Sequence, residues 1–259
     1  MTDPRQITAH DRRYWQYEYD VVQRTIIPLL GAWGIHLTGA VVLDAGCGEG
    51  GGVCAVHDAG ARCAGFDVDS GRIELAGLLN GGRAISFAVG NLYEAILPFG
   101  ETRYDLVVLH DVFEHLDHKD RVLRTLAGLL APGGRILITF PPYFSAYGAH
   151  QQRLTAPYGR LPFFHLFPLA LSHMLPHMKG EHPSVVEEIQ KLGRLKMGMR
   201  GFETIIARNG LRVAQRKAYL ISPNHIRFGL RPLPAGAIGA TPLLREILCT
   251  GVVYLIDAG

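Results

Sequence analysis

An acidic residue followed by three spaced glycines marks a candidate ligand-binding loop in the N-terminal part of the chain. Asp44 ends a short apolar run, and Gly46, Gly48 and Gly50 follow it. Glycine has no Cβ atom, so the backbone of such a loop can approach a ligand closely. A carboxylate placed just before the loop repels a pyrophosphate and attracts an ammonium or sulfonium cation. The residues therefore favour a positively charged ligand.

The same loop also fits a second class of ligand. Gly46, Gly48 and Gly51 satisfy the G-x-G-x-x-G pattern of dinucleotide-binding folds. Asp67 follows at about the spacing of a ribose-binding acid, roughly 20 residues further on. On this motif alone a nicotinamide cofactor stays an alternative, and the rest of the chain has to separate the two.

Two further motifs lie at the ends of apolar runs. Asp67 and Val68 end one run, and the carboxylate of Asp67 offers two acceptor oxygens to the adjacent hydroxyls of a ribose. Residues 105–116, Asp-Leu-Val-Val-Leu-His-Asp-Val-Phe-Glu-His-Leu, read as a buried strand that ends in a polar cluster. In an open α/β sheet, ligands bind at such carboxyl ends of strands.

Three segments together resemble the class I S-adenosylmethionine-dependent methyltransferases. Residues 41–50 are similar to the first motif of that family, residues 105–116 to its fourth motif, and residues 129–138 to the turn and fifth strand that follow. A nicotinamide enzyme has no reason to carry all three. The resemblance is close over residues 40–140 and looser from residue 202 onward.

The resemblance implies S-adenosylmethionine as cofactor and S-adenosylhomocysteine as product. Asp67 would bind the ribose, Val68 would flank the adenine, and Asn91 would accept a hydrogen bond from the adenine amine, where many family members have an acid. Asp111 and Val112 would line the methionine end. The residues expected to bind the cofactor are Asp44, Ala45, Gly46, Cys47, Gly48, Gly50, Asp67, Val68, Asn91, Leu92, Asp111 and Val112.

Apolar runs and helical segments alternate from residue 40 onward, which predicts a doubly wound parallel sheet of the α/β class. The resemblance implies a Rossmann-like sheet of seven strands in the order 3-2-1-4-5-7-6, with strand seven antiparallel. We expect one domain. Its parts are a helical cap at 10–36, a cofactor-binding core at 40–140, a lid inserted at 141–198 and the C-terminal part of the sheet at 199–259.

Finer predictions concern where individual elements begin and end. Pro28 is expected to interrupt the N-terminal helical cap. Ser70 is expected to be the N-cap of a helix over 70–79, and Asp69 before it is interpreted as a helix-start residue only. A further helix is predicted over 118–130, and the fifth strand over 135–140, after a Pro-Gly-Gly turn.

Two histidines are candidates for catalysis at the methyl acceptor. A hydroxyl acceptor must lose its proton, and a histidine with a pKa near neutrality suits that task. His115 begins a helix beside the fourth motif, and His150 leaves the fifth strand on the substrate side. We expect His150 to be the general base. A lid histidine hydrogen-bonded to the backbone is the alternative.

No metal site is predicted. His173 and His177 lie four residues apart, as metal ligands on a helix do. However, Pro176 lies between them, and no carboxylate or cysteine completes a set nearby.

Charge and hydropathy indicate the kind of acceptor. Residues up to 140 carry 12 Lys and Arg against 17 Asp and Glu, and the remainder carries 14 against 6. The lid contains a strongly apolar stretch at 161–176 followed by basic residues. We therefore expect methylation of a hydroxyl on a largely apolar small molecule, such as a natural product or an isoprenoid, that can also be anionic. The alternative is that the apolar stretch only packs the lid on the core and does not bind the acceptor.

Two other functions stay open at this stage. One is a C- or N-methyltransferase that acts on a lipid-like or anionic acceptor at a membrane surface, where apolar and basic residues bind together. The other is a member that binds the cofactor without catalysis, although the motif residues are intact. A nucleic-acid partner is not expected, because no constellation of basic and aromatic residues is present.

Targeting and redox features favour the cytoplasm. No run approaches the ~20 apolar residues of a membrane span. The first residues are polar and lack the apolar region of a secretory signal. The four cysteines show no C-x-x-C spacing, so neither disulfides nor zinc ligation is expected. The sequence does not indicate the oligomeric state.

Overall fold

A single sheet dominates the protein in the computed structural model, which describes residues 7–94, 98–100, 102–167 and 180–258. The strands are β1 (Val41–Ala45), β2 (Arg62–Asp67), β3 (Ser86–Val89), β4 (Tyr104–His110), β5 (Leu130–Phe140), β6 (Arg212–Ile221), β7 (Leu233–Pro234) and β8 (Gly251–Asp257). Their order is β3-β2-β1-β4-β5-β8-β6-β7. The first five are parallel, and β8 runs antiparallel to both β5 and β6.

This topology confirms the predicted α/β Rossmann-like fold and the predicted order of seven strands. The prediction of seven strands in all was wrong by one. The additional strand β7 is only two residues long and pairs with the edge of β6 through Leu233 and Pro234. A proline is tolerated at a sheet edge, where its missing N–H is not needed. The short strand therefore left no apolar run to detect.

The helices cover both faces of the sheet. They are α1 (Ala9–Val21), α2 (Ile27–Ala32), α3 (Gly51–Asp58), α4 (Ser70–Leu79), α5 (Lys119–Gly128), α6 (Pro183–Leu195), α7 (Met199–Arg208), α8 (Gly236–Ala240) and α9 (Pro242–Leu248). A π-helical turn, Val22–Ile26, joins α1 to α2. Because both faces are covered, the central strands are buried and apolar on both sides, as in other parallel sheets.

Pro28 does not interrupt the helical cap, contrary to the sequence-based expectation. It lies in the first turn of α2, where a missing N–H costs little. The π-helical turn that precedes it has already changed the hydrogen-bond register of the backbone. The two features together let the chain continue through the proline.

Three element boundaries also differ from the predictions. Asp69, not Ser70, is the N-cap of α4, because its carboxylate accepts from the backbone N–H groups of Gly71 and Arg72. Helix α5 ends at Gly128, and β5 begins at Leu130. The early start of β5 arises because Leu130 pairs with Tyr104 ahead of a register shift in the ladder. The Pro-Gly-Gly turn thus lies inside a bulged strand.

An aromatic cluster anchors α7 to the sheet. The ring of Phe202 lies 5.2 Å from that of Phe113, 5.1 Å from Phe140 and 4.5 Å from Tyr254. All four side chains are buried. Since Phe113 follows β4 directly, this cluster fixes the carboxyl end of β4 against the helices of one face.

The segment after β5 is mostly irregular where the structure describes it. It contains short 3₁₀ turns at Gln151–Arg153, Pro157–Arg160 and Phe164–Leu166, and then α6. The N–H of Tyr143 donates to the carbonyl of Met197 at 2.8 Å, so the two ends of the segment meet. His173 and His177, considered above as metal ligands, lie outside the described residues. In the described part of the chain, no helix is long and apolar enough to cross a membrane.

Gly51 provides a test of how tightly α1 packs on the glycine loop. A Cβ atom added at Gly51 would overlap the carbonyl oxygen of Trp15 and lie 2.9 Å from Cβ of Glu18, both on α1. We expect Gly51→Ala to lower the free energy of unfolding by about 1–3 kcal/mol, because overpacking forces the helices apart.

Gly77 on α4 is the matched control, because a Cβ atom there meets nothing within 4 Å. Gly77→Ala should raise the free energy of unfolding by about 0.5–1 kcal/mol. Urea unfolding of both variants measures the difference. Equal effects of the two substitutions would contradict the close packing of α1 on the loop.

Candidate cofactor and acceptor site

The glycine loop between β1 and α3 adopts a backbone that favours glycine. Gly46, Gly48 and Gly50 have φ values of 91°, 54° and 82°. A Cβ atom at Gly46 would lie 2.6 Å from a methyl group of Val112, so the loop packs directly on the segment after β4. The first and fourth sequence motifs therefore meet at the same edge of the sheet.

Asp67 holds the loop to the end of β2. The N–H of Gly48 donates to its Oδ2 at 3.0 Å, and the N–H of Asp69 donates to its Oδ1 at 2.9 Å. The N–H groups of Gly46 and Cys47 both donate to the carbonyl of Phe66. Each carboxylate oxygen has a second lone pair, so Asp67 keeps acceptor capacity for a ligand.

Asp44 is buried at the base of the loop. Its side chain is 6% exposed, and Oδ1 meets no hydrogen-bond partner among the described residues. Burial, with the added charge of Asp67, raises the pKa of Asp44 to about 7. A positive charge on a ligand nearby would favour the ionised form. The neighbouring Ala45 is fully buried and pairs with Phe66 on β2.

The N-terminal helix supplies a carboxylate that the sequence analysis did not assign to the site. A Cβ atom at Gly48 would lie 3.6 Å from Oε1 of Glu18 on α1 and 3.4 Å from Nη1 of Arg72. Oε2 of Glu18 is buried, and no described residue hydrogen-bonds to it. Burial, and then the charge of Glu49, raises the pKa of Glu18 well above its ordinary value.

The residues predicted to lie near the adenine differ in exposure and in hydrogen bonding. Val68 is 65% exposed beside the loop, whereas Leu92 is buried in the core. Oδ1 of Asn91 accepts from the N–H of Tyr93 at 3.0 Å, so the amide forms a local turn. That contact is the turn-forming role of asparagine. The hydrogen bond from Tyr93 uses one of the two lone pairs of Oδ1 of Asn91. The predicted contact with the adenine amine depends on the same oxygen.

Asp111 is tightly fixed after β4. Its φ of 54° is rare for a residue other than glycine. Oδ1 accepts from Oγ1 of Thr139 at 2.8 Å, and the amide of Asn224 donates to Oδ2. The hydroxyl of Tyr17 on α1 donates to the carbonyl of Asn224 at 3.2 Å. The N-terminal helix and the C-terminal part of the sheet are thus joined at this carboxylate.

The two predicted catalytic histidines lie together, although they come from segments after different strands. The ring centroids of His115 and His150 are 5.3 Å apart. Burial, and then the charge of His150, lowers the pKa of His115 to about 4, so His115 is neutral at pH 7. Glu114 lies beside them, with Oε1 3.6 Å from Nε2 of His115. Burial, and then the charge of Asp111, raises the pKa of Glu114 well above its ordinary value.

Glu188 on α6 orients His150. Its Oε1 lies 2.8 Å from Nδ1 of His150, and Arg153 pairs with the other oxygen. Burial opposes ionisation of Glu188, but His150 and Arg153 together lower its pKa to about 2. An ionised carboxylate only accepts hydrogen bonds, so Nδ1 of His150 is the donor to Glu188 and Nε2 is the ring nitrogen left for other chemistry.

Sequence reasoning missed Glu18 and Glu188. Both reach the site from helices outside the three motifs, one before β1 and one in the segment after β5. No local pattern marks either residue, because their positions follow from how α1 and α6 pack. Glu114 was part of a motif, but its burial beside both histidines is likewise a property of the folded chain.

The pKa of Asp44 leads to a test by pH. The folded state holds the proton of Asp44 up to about pH 7, while an unfolded aspartate loses it near pH 4. Stability should therefore fall between about pH 4 and pH 7. Asp44→Asn should remove this part of the pH dependence and make the ligand-free protein more stable than wild type at pH 8, by on the order of 2 kcal/mol.

Urea unfolding at pH 5 and pH 8 measures this effect. Glu74→Gln, on the exposed side of α4, is the control and should follow the wild-type pH dependence. The interpretation of Asp44 as a buried, destabilising charge would be wrong if Asp44→Asn also followed it.

Comparisons with known proteins agree with this geometry. Residues 43–138 match the family described as methyltransferase domain. A probable S-adenosylmethionine-dependent methyltransferase of Mycolicibacterium smegmatis is 30% identical over 131 residues, which cover 51% of this chain and 47% of that protein. An uncharacterized methyltransferase of Mycobacteroides abscessus is 28% identical over 155 residues, 59% of each chain. The matched segments thus span about half the length of these relatives.

Solved structures share the whole architecture. Magnesium protoporphyrin IX methyltransferase from Synechocystis, crystallised with S-adenosylhomocysteine, has a TM-score of 0.54 at 17% identity, covering 98% of this chain and 89% of that one. An S-adenosylmethionine-dependent methyltransferase from Mesorhizobium loti has a TM-score of 0.54 at 18% identity, covering 88% and 95%. At 17–18% sequence identity, this similarity shows a shared fold and nothing further. Residues 43–138 thus match the methyltransferase-domain family, and the chain has the fold of S-adenosylmethionine-dependent methyltransferases.

Proposed function

We propose that this protein transfers a methyl group from S-adenosylmethionine to a hydroxyl of a small molecule. One observation carries the proposal: a glycine loop with buried carboxylates follows β1, Asp111 and His115 follow β4, and His150 comes after β5, so all of them lie at the carboxyl edge of three neighbouring strands. The carboxylates suit a cationic methyl donor, and the histidines suit an acceptor that must lose a proton.

The residues at the glycine loop fit the charge of this cofactor. Oδ1 of Asp44, Oε2 of Glu18 and Oε2 of Glu49 are buried oxygens that meet no hydrogen-bond partner in the described part of the chain. A ligand with an ammonium group and a sulfonium would compensate their charge, whereas a pyrophosphate would add to it. The cofactor, when bound, supplies an electrophilic methyl group on its sulfonium.

Each motif residue has a place in the proposed binding mode. Asp67 binds the ribose hydroxyls with the lone pairs left over from the N–H groups of Gly48 and Asp69. Val68 and Leu92 contact the adenine, and Asn91 accepts from its amine. The loop residues Ala45, Gly46, Cys47, Gly48 and Gly50, together with Asp44, Asp111 and Val112, enclose the methionine portion.

His150 prepares the acceptor, with His115 beside it. The hydrogen bond from Nδ1 to Glu188 fixes the imidazole ring, and the lone pair on Nε2 is available at the acceptor. As a general base, Nε2 would accept the hydroxyl proton while the oxygen keeps the electron pair for bond formation to carbon. His115, neutral at pH 7, adds no positive charge that would oppose this protonation.

Exposed apolar side chains in the lid support an apolar acceptor. Leu161, Leu166 and Phe167 are exposed in the described part of the lid. Together with the basic second half of the chain, they also favour the second candidate, a C- or N-methyltransferase that works on a lipid-like acceptor at a membrane surface. Salt-sensitive co-sedimentation with anionic vesicles would favour that candidate over a freely dissolved acceptor.

Calorimetric titration tests the cofactor assignment. We expect micromolar binding of S-adenosylmethionine and S-adenosylhomocysteine and none of reduced nicotinamide nucleotide, because the loop carboxylates exclude a pyrophosphate. Asp67→Asn should weaken cofactor binding by about 10- to 100-fold, as expected for a lost hydrogen bond to a charged group. Glu74→Gln is the control. Tight binding of the nicotinamide nucleotide alone would contradict the proposal.

His150→Ala tests the acceptor side. Turnover with hydroxylated apolar acceptors should fall by about 10²- to 10⁴-fold, the usual contribution of proton transfer, while affinity for S-adenosylmethionine stays unchanged. His36→Ala, at an exposed position before β1, is the control. Unchanged turnover of His150→Ala would remove this residue from the mechanism.

A further inference from the structure

Three side chains on the acceptor side form a cluster with the composition of a metal site. The ligand atoms of Glu114, His115 and His150 all lie within 4.8 Å of one another. Glu114 and His115 belong to the 3₁₀ turn Phe113–His115 after β4, and His150 comes from the segment after β5. The cluster thus joins two elements at the carboxyl edge of the sheet.

Glu114 is the strongest sign that a cation belongs there. Its side chain is 2% exposed, and neither carboxylate oxygen has a hydrogen-bond partner within the described residues. The ammonium of the nearby Lys119 donates instead to the carbonyl of Leu116. A carboxylate buried without partners is costly unless it takes up a proton or coordinates a metal.

The surroundings of His150 have the arrangement found around metal-binding histidines. Such a histidine usually donates its second ring N–H to a carboxylate, which fixes the ring and raises its basicity. Glu188 is that carboxylate here, 2.8 Å from Nδ1. His150 also has a φ of 58°, a backbone conformation rarely adopted by residues other than glycine. The site is therefore held in place by interactions beyond the three ligands.

We propose that Glu114, His115 and His150 bind one divalent transition-metal ion of the zinc type. Two imidazoles and one carboxylate, with a fourth position open, make up the ligand set of catalytic zinc sites. Mg²⁺ prefers oxygen ligands and binds such a set poorly. Ligand atoms on a common zinc lie about 3.3 Å apart. Atoms that are up to 4.8 Å apart here therefore have to approach one another by up to about 1.5 Å to hold the ion.

The ion would perform the acceptor chemistry of the proposed function, on which this step rests. The acceptor hydroxyl takes the fourth position, and the ion lowers its pKa towards neutrality. The O–H bond then breaks, the proton goes to solvent, and the electron pair stays on the oxygen. With the ion bound, His150 acts as a ligand and no longer needs to accept the proton itself.

Metal binding can be measured without cofactor or acceptor. Chelator-treated protein is titrated with Zn²⁺ against a chromogenic chelator, and with Co²⁺, whose visible spectrum reports tetrahedral coordination. We expect one ion per chain in wild type and in His36→Ala. Glu114→Gln and His150→Ala should lose most of this affinity, and Glu188→Gln should weaken it by about 10- to 100-fold.

Two further measurements distinguish failure of the metal site from failure of the proposed function. Circular dichroism and calorimetry with S-adenosylhomocysteine show whether each variant is folded and keeps its cofactor site. Zinc that does not bind wild type, or that binds Glu114→Gln equally well, overturns the metal site while the proposed methyl transfer stands, with His150 as base. If the wild-type protein does not bind S-adenosylhomocysteine, the proposed function is contradicted, and the result on metal binding is unaffected.

Discussion

Negative charge buried at one edge of the sheet is the constraint around which the site is organised. Parallel strands deliver their carboxyl ends to the same edge, and here Asp44, Asp67, Asp111 and Glu114 arrive there together. Asp67 and Asp111 are stabilised by N–H and O–H donors from the loop, β5 and the C-terminal segment. Asp44 and Glu114 have no such donors in the described chain, and their raised pKa values express that cost.

The fold was predictable because its signals are local. Apolar runs separated by glycine turns and amphipathic helices specify a doubly wound sheet, and the strand order follows from the family resemblance. The errors occur where local chemistry gives two solutions of similar energy. Asp69 and Ser70 are both good N-caps, and Asp69 makes the contacts. Strand β5 extends through a Pro-Gly-Gly turn because pairing with Tyr104 outweighs the break.

The site was predictable only where a motif carries it. The loop glycines and Asp67 meet as the motifs require, since each motif ends a neighbouring strand. Glu18 and Glu188 could not be predicted, because they approach from helices whose packing no local pattern encodes. Nor does a sequence show how a side chain is already engaged. Asn91 accepts from a turn N–H, which depends on the conformation after β3.

Asp111 is coupled to both parts of the site, by its charge on one side and by hydrogen bonds on the other. Its charge adds to the raised pKa of Glu114 on one side, and it is tied through Asn224 to Tyr17 on the N-terminal helix on the other. A cation beside Glu114 would relieve the repulsion between Glu114 and Asp111. In the proposed function, the methyl donor itself brings positive charge to the carboxylates of the glycine loop. Lys119 already lowers the pKa of Glu114, but its ammonium donates to the carbonyl of Leu116, so neither oxygen of Glu114 has a hydrogen-bond partner among the described residues. The proposed metal ion would supply beside Glu114 the compensation that the methyl donor supplies at the loop.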